Sequence, residues 1–82
     1  MAIEVLYFAA LRELLGRSEE VVELPAASLS IRTLADHLAL LHPELRPHLP
    51  SVRFAINETF VDSAAAVSPG DRVALLPPVS GG

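Results

Sequence analysis

"LSIRTLADHLALLHP", residues 29–43, contains the strongest helix signal in the sequence. Ser30 suits the N-cap, because its hydroxyl can accept a backbone N–H of the first turn that has no partner within the helix. Leu29 and Leu34 then stand at the two positions of a hydrophobic staple. The apolar residues that recur on one face of this helix are Ile31, Leu34, Leu38 and Leu41. Pro43 ends the helix one or two residues upstream. The segment therefore predicts one amphipathic helix that covers one face of a sheet.

Short apolar segments on both sides of this helix predict the strands of that sheet. We expect strands at IEVLYF (3–8), SEEVVEL (18–24), VRFAIN (52–57) and RVALLP (72–77), a short helix at AALRELLG (9–16) and a short strand at FV (60–61). Along VRFAIN, the alternation places Val52, Phe54 and Ile56 towards the core. The segments PELRPHLP (43–50) and SPGD (68–71) mark a loop and a turn. This order predicts an α+β fold with a mixed four- to five-stranded sheet and one main helix packed on one face.

The composition is that of a small globular domain. The chain has 82 residues, 51% hydrophobic and 20% charged, and we expect one domain at residues 1–76 with an extended, flexible tail at 77–82. The absence of cysteine excludes disulfides, thiolate metal sites and cysteine nucleophiles. The net charge is −4 and the six basic residues are scattered arginines, so no nucleic-acid partner is expected. Neither a signal peptide nor a membrane-spanning run is recognisable, so we expect a cytoplasmic protein without a membrane partner.

Conventional catalytic and metal-binding patterns are weak. His37 and His42 are five residues apart, which places them on diverging faces of the helix rather than side by side as a metal pair. These histidines are interpreted as surface side chains, as are His48 and the acidic run Glu19, Glu20 and Glu23. No segment resembles a nucleophile elbow or a glycine-rich phosphate loop. We therefore expect no metal site, no permanently bound cofactor and no hydrolase centre.

The last six residues, PPVSGG (77–82), have a clearer chemical rationale. Gly81 and Gly82 lack side chains, so they can pass through a narrow channel and adopt unusual backbone angles. Pro77 and Pro78 keep the start of the tail extended, which reduces the entropy lost on docking. A carboxylate at Gly82 is a poor electrophile and needs activation, for example as a mixed anhydride with AMP in the ATP site of a partner. The alternative is a frayed terminus without a role.

Three segments together resemble the family of molybdopterin synthase small subunits, sulfur-carrier proteins with the ubiquitin-like β-grasp fold. They are VLYFAALRELLG near the start, FAINETFV in the middle and GDRVALLPPVSGG at the end. The resemblance extends over nearly the whole chain. A terminal Gly-Gly is common to all ubiquitin-like carriers, whereas a final strand followed by PPVSGG is far more specific.

The resemblance implies a reaction cycle at Gly82. A ubiquitin-activating-type enzyme would adenylate the carboxylate with ATP, and sulfur from a persulfide donor would displace AMP to leave a thiocarboxylate. The tail would then enter the large subunit and give its sulfur to cyclic pyranopterin monophosphate, in an assembly of two small and two large subunits. The matching positions are Gly81 and Gly82 for the chemistry, and Phe8, Arg12, Phe60, Leu76, Pro77, Pro78, Val79 and Ser80 for partner contacts.

Alternatives remain for these contacts and for the function. Phe8 and Leu76 fall in predicted strands and could equally be core residues, whereas Phe60 follows a turn and is favoured as an interface residue. The chain could instead carry sulfur for thiamine or tRNA thiolation, modify proteins through Gly82 as a ubiquitin-like modifier, or be a binding module with an inert tail. The absence of lysine counts against a polymeric tag, since the chain cannot form lysine-linked chains on itself.

Overall fold

The computed structural model describes residues 1–78, and its elements follow the predicted order. The strands are β1 (Ala2–Tyr7), β2 (Glu19–Glu23), β3 (Leu29–Ser30), β4 (Arg53–Ile56), β5 (Thr59–Val61), β6 (Ala66–Val67) and β7 (Arg72–Leu76). The helices are α1 (Ala10–Leu15) and α2 (Ile31–Leu41), and α2 is followed by two 3₁₀ turns, Pro43–Leu45 and Leu49–Ser51. Every predicted helix and strand is present, with its ends shifted by no more than one residue. The two-residue strands β3 and β6 are absent from the prediction.

Five strands form one mixed sheet in the order β2-β1-β7-β4-β5. β1 and β7 run parallel at its centre, and the other neighbours are antiparallel. β3 and β6 pair separately as a small antiparallel ribbon. The predicted α+β fold, with a mixed sheet, one main helix and the ubiquitin-like β-grasp arrangement, is confirmed. Because β7 is the central strand, the chain leaves the sheet from its middle when β7 ends.

Alternate residues of the strands point towards α2 and form the core. Strand residues Ile3, Val5, Tyr7, Val73 and Leu75 are each no more than 2% exposed. The helices and their connections add Leu11, Ile31, Leu34, Leu38 and Leu45, which are equally buried. Burying one large apolar side chain stabilises the folded state by about 1.5–3 kcal/mol, so this layer supplies most of the driving force for folding. Phe54 faces this core as predicted, and Val52 and Ile56 pack against it half-buried.

The helix α2 begins and ends where the sequence predicts, but its buried face differs at the last turn. The Ser30 hydroxyl oxygen accepts the Thr33 backbone N–H at 3.2 Å, which confirms the N-cap. The expectation that Leu41 lies on the buried face is wrong, since this residue is 49% exposed. The chain turns away at His42, and Leu45 of the following 3₁₀ turn packs into the core instead. No helix among residues 1–78 combines the length and the hydropathy needed to cross a membrane.

Glu20 and His42 are not the solvated side chains that the sequence predicts. In the β1–β2 register Glu20 is paired with Val5, so it points to the core side of the sheet. The side chains of Glu20 and His42 are only 15% and 16% exposed, and their Oε2 and Nε2 atoms lie 2.6 Å apart. The same Glu20 oxygen accepts the Tyr7 hydroxyl, and Arg17 binds the other oxygen at 3.1 Å. The cluster therefore joins β1, β2 and the end of α2.

This cluster shifts the pKa values of two of its members. Burial alone would raise the pKa of Glu20, but hydrogen bonds from Tyr7 and His42, together with the charges of His42 and Arg17, outweigh it and lower that pKa below 4.5. Burial raises the pKa of Tyr7, and the hydrogen bond to Glu20 and the negative charge of that residue raise it further. Glu20 is therefore held ionised and Tyr7 is held protonated.

Candidate functional site

The face of the sheet that points away from α2 carries a shallow apolar groove. Leu6 of β1 is paired with Ala74 of β7, Ala74 with Ala55 of β4, and Ala55 with Phe60 of β5. Directly paired residues share a face, so these four side chains lie side by side across four strands. The groove has a volume of about 260 Å³ and is lined by Leu6, Phe8, Ala55, Glu58, Phe60, Arg72, Ala74 and Leu76. We call it the outer groove.

Phe8 reaches the outer groove from the end of β1. The strand ends at Tyr7, so the expectation that Phe8 lies within a strand is wrong, although its N–H still donates to the Leu75 carbonyl at 3.3 Å. Ala9 follows with φ 51° and ψ −125°, a conformation in which a Cβ atom is strained, and turns the chain into α1. Phe8 continues the outward alternation of Leu6 and is 43% exposed. It is a surface residue, and the core alternative does not apply.

Phe60 is presented by a tight hairpin between β4 and β5. The two residues of the turn, Asn57 and Glu58, have φ values of 48° and 72°, as a two-residue hairpin turn requires. The Asn57 side chain connects this turn to the start of β7. Its Oδ1 accepts the backbone N–H of Arg72 at 3.0 Å, and its Nδ2 donates to the Asp71 carboxylate at 3.1 Å. Phe60 is thereby fixed on the outer face with 51% of its surface exposed.

The tail begins at the edge of the outer groove. Leu76 is the last residue of β7, is half-buried and lines the groove. Pro77 and Pro78 follow, the first half-buried and the second exposed. Neither proline has an N–H to extend the pairing of β7, so the ladder stops at this point. The start of the tail therefore lies next to the groove lined by Phe8, Phe60 and Leu76.

The predicted contact residues do not all lie together. Phe8, Phe60 and Leu76 line one groove, whereas Arg12 is exposed on α1 and is not part of its lining. The predicted contacts Val79 and Ser80 and the predicted reactive residues Gly81 and Gly82 lie outside the described residues. The sequence analysis did not name the lining residues Leu6, Ala55, Glu58, Arg72 and Ala74. Strand alternation is a signal that could have found Leu6 and Ala74, because it places them on the same outward face as Leu76.

Two arginines flank the outer groove in different electrostatic situations. Arg72 forms an ion pair with Glu4 at 2.8 Å across the β1–β7 pairing. The guanidinium carbon of Arg53 lies 4.0 Å from the centroid of the Phe60 ring, in a cation–π contact. No group of three or more metal-binding side chains occurs within residues 1–78. This face therefore presents apolar side chains and two guanidinium groups.

Comparison of sequences assigns the chain to a family. A sequence model of the ThiS family matches residues 5–82. The chain belongs to the ThiS family. It is also 39% identical over 84 residues to the molybdopterin synthase sulfur carrier subunit of Chlamydomonas reinhardtii, an alignment that covers 100% of both chains. The resemblance to molybdopterin synthase small subunits, carried by the three segments VLYFAALRELLG, FAINETFV and GDRVALLPPVSGG, is thereby confirmed.

Solved structures with the same fold span the full length of the chain. The small archaeal modifier protein SAMP1 from Haloferax volcanii superposes with a TM-score of 0.88 at 27% identity, covering 100% of both chains. A putative molybdopterin converting factor, subunit 1, from Pyrococcus furiosus gives a TM-score of 0.83 at 29% identity, covering 96% of this chain and 99% of that one. The ThiS-family chain thus has structural relatives whose names refer to molybdopterin conversion and to a protein modifier.

Proposed function

We propose that this chain is the sulfur-carrier small subunit of molybdopterin synthase. The observation that carries the proposal is the position of the tail, which starts at Leu76 on the rim of the outer groove between the exposed rings of Phe8 and Phe60. A partner that takes up the tail can cover the groove in the same movement. The 39% identity to a molybdopterin synthase sulfur carrier subunit supports this assignment over the full length.

The reaction takes place at the carboxylate of Gly82. An adenylyltransferase of the ubiquitin-activating type joins this carboxylate to AMP from ATP and releases pyrophosphate, so the nucleotide is bound by that enzyme. The terminal sulfur of a donor persulfide then displaces AMP to form an acyl disulfide, and a thiol cleaves the S–S bond, so that the donor side becomes a disulfide and Gly82 is left as a thiocarboxylate. Its sulfur is a better nucleophile than a carboxylate oxygen, and transfer to cyclic pyranopterin monophosphate followed by hydrolysis regenerates the carboxylate. Two such transfers complete the dithiolene of molybdopterin.

The partner in this step is the large subunit of the synthase, in an assembly of two small and two large subunits. The small subunit supplies the tail and the docking face, and the large subunit holds most of the catalytic groups. On this proposal Arg12 contacts a partner from α1, beside the groove rather than within it. The reaction belongs in the cytoplasm, as expected from the sequence.

A single-turnover transfer assay tests the proposal. The chain is prepared with a thiocarboxylate at Gly82 and mixed with the large subunit from the same genome and cyclic pyranopterin monophosphate. We expect molybdopterin by mass and fluorescence, with Gly82 returned to a carboxylate. The same chain with an unmodified carboxylate, and a variant without Gly81 and Gly82, are the controls and should give no product. Failure with an active large subunit would redirect the assignment to thiamine or tRNA thiolation, whose acceptors can be offered the same protein.

Protein modification is the second candidate, because SAMP1 matches this chain over its full length with a TM-score of 0.88. In that case Gly82 would form an isopeptide bond with lysines of target proteins. The chain itself has no lysine, so any such product would be a single modification and not a polymer. Conjugates in cell extracts that survive reducing agent and disappear when Gly82 is deleted would favour this function.

A further inference from the structure

We infer that Arg53 binds a carboxylate of the large subunit beside the outer groove, and that it acts as a specificity contact next to the start of the tail. The inference rests on the proposed function, since it names the chemistry of the surface that the groove meets. Arg53 was not among the contact residues expected from the family resemblance. It is identified by its position in the sheet, its contact with Phe60 and its lack of a partner charge among residues 1–78.

Arg53 is not part of the groove lining, but its position places it beside the groove and the start of the tail. Arg53 is directly opposite Leu76 in the β4–β7 register, so it flanks the last residue before the tail. It shares the outer face with Ala55, two residues further along β4. Its guanidinium stacks on the Phe60 ring at 4.0 Å from the ring centroid. A partner that accepts the tail and covers Phe60 therefore meets Arg53 as well.

The charge of Arg53 is not neutralised within the described part of the chain. Arg72, the other arginine at the groove, is paired with Glu4 at 2.8 Å. Arg53 has no carboxylate within 4.0 Å among residues 1–78. Asp62, which follows β5, instead accepts the Ala64 N–H at 2.9 Å. A partner without an anion would bury Arg53 uncompensated, which opposes binding.

The stacked geometry suits a carboxylate in particular. The guanidinium carbon lies over the Phe60 ring, and a guanidinium presents its N–H groups as a planar fork that matches the two oxygens of a carboxylate. Stacking also restricts the side chain before binding, which reduces the entropy lost in the complex. The whole chain carries a net charge of −4, so its overall charge does not favour an acidic partner. Arg53 can therefore fix the register of docking.

Calorimetric titration of the large subunit with three variants tests the inference. Arg53→Gln removes the charge and should weaken binding by at least about tenfold, the scale of a lost charge-assisted hydrogen bond. Arg53→Lys retains the charge but not the planar fork, and should lose most of the same affinity. Arg32→Gln on α2 makes the same change in net charge at a residue that neither lines the outer groove nor contacts the Phe60 ring, and should bind within about twofold of wild type. Circular dichroism and thermal melts verify that each variant is folded.

The salt dependence supplies a second, independent measurement. Raising NaCl from about 50 to about 500 mM should weaken wild-type binding more than binding of Arg53→Gln, since screening acts on the charge pair. Equal affinity of Arg53→Gln and Arg32→Gln, while the wild-type chain binds and transfers sulfur, would overturn the inference and leave the proposed function standing. A wild-type chain that neither binds the large subunit nor transfers sulfur to its substrate would overturn both.

Discussion

Phe60→Asp should remove most of the affinity for the large subunit and leave the fold almost unchanged. Phe60 is 51% exposed in the free chain. An aromatic side chain buries roughly 200 Å², so covering the exposed half removes about 100 Å² from water. At about 25 cal/mol per Å², this is worth about 2.5 kcal/mol. The loss corresponds to a dissociation constant about 50- to 100-fold higher, and burial of the new carboxylate adds to it.

Isothermal titration calorimetry against the large subunit measures this effect. Phe60→Leu retains an apolar side chain but loses the ring under Arg53, so it separates apolar burial from the cation–π contact. Leu40→Asp is the matched control, since Leu40 is 72% exposed on α2, on the other side of the sheet. Because Phe60 and Leu40 contribute little to the core, all three variants should change the free energy of unfolding by less than about 1 kcal/mol. Affinity of Phe60→Asp equal to that of Leu40→Asp would refute the assignment of the outer groove as the docking face.

Three further changes test the turns beside the groove and the Glu20 cluster on the core side of the sheet. Ala9→Gly should increase the free energy of unfolding in urea by about 0.5–1 kcal/mol, because the φ of 51° at this position strains alanine and suits glycine. A lower free energy of unfolding would show that the turn after β1 is not strained. Asn57→Ala should lower the free energy of unfolding by about 1–2 kcal/mol in the same assay, since two side-chain hydrogen bonds to the start of β7 are lost. Asn57→Gly is the control, because glycine tolerates the positive φ of the turn and therefore reports the loss of the hydrogen bonds alone. An unchanged urea midpoint for Asn57→Ala would contradict this. The folded-state pKa of Glu20 lies below 4.5, so this residue contributes stability above about pH 4.5 that is lost as the pH falls through the lowered value. Between about pH 3 and pH 6, the melting temperature of Glu20→Gln should depend less on pH than that of the wild-type chain. An identical pH dependence in the two proteins would exclude this contribution of Glu20.

The main elements could be predicted because each has a local signal. The N-cap at Ser30 and the apolar spacing define α2, and short apolar runs between turn residues define the sheet strands. The two-residue strands β3 and β6 have no such signal, since their pairing arises from tertiary contact. Leu45 lies in a proline-rich segment that was predicted as a loop, yet it is completely buried. Burial of that kind depends on how the chain returns to the core, which periodicity does not encode.

The candidate site was predicted only in part, for a related reason. Phe8, Phe60 and Leu76 could be named individually from the family resemblance, but their meeting in one groove depends on strand order. Ala55 and Ala74 appear unremarkable in the sequence, and they form the floor of the groove only once β4 is paired with β7. Glu20 was misassigned for the same reason, because its direction is set by its pairing with Val5.

The parallel pairing of β1 and β7 explains why docking and delivery of the tail can occur together. A terminal strand at a sheet edge would release the tail at the side of the domain, away from the centre of either face. Here β7 is central, with β1 on one side and β4 on the other, so the tail starts between Phe8 and Arg53. The apolar groove lies on the adjoining outer face, since Leu76 belongs to its lining. On the proposed function, a partner that binds the groove therefore meets the start of the tail at Leu76, and the energy of groove burial can offset the entropy cost of docking the tail.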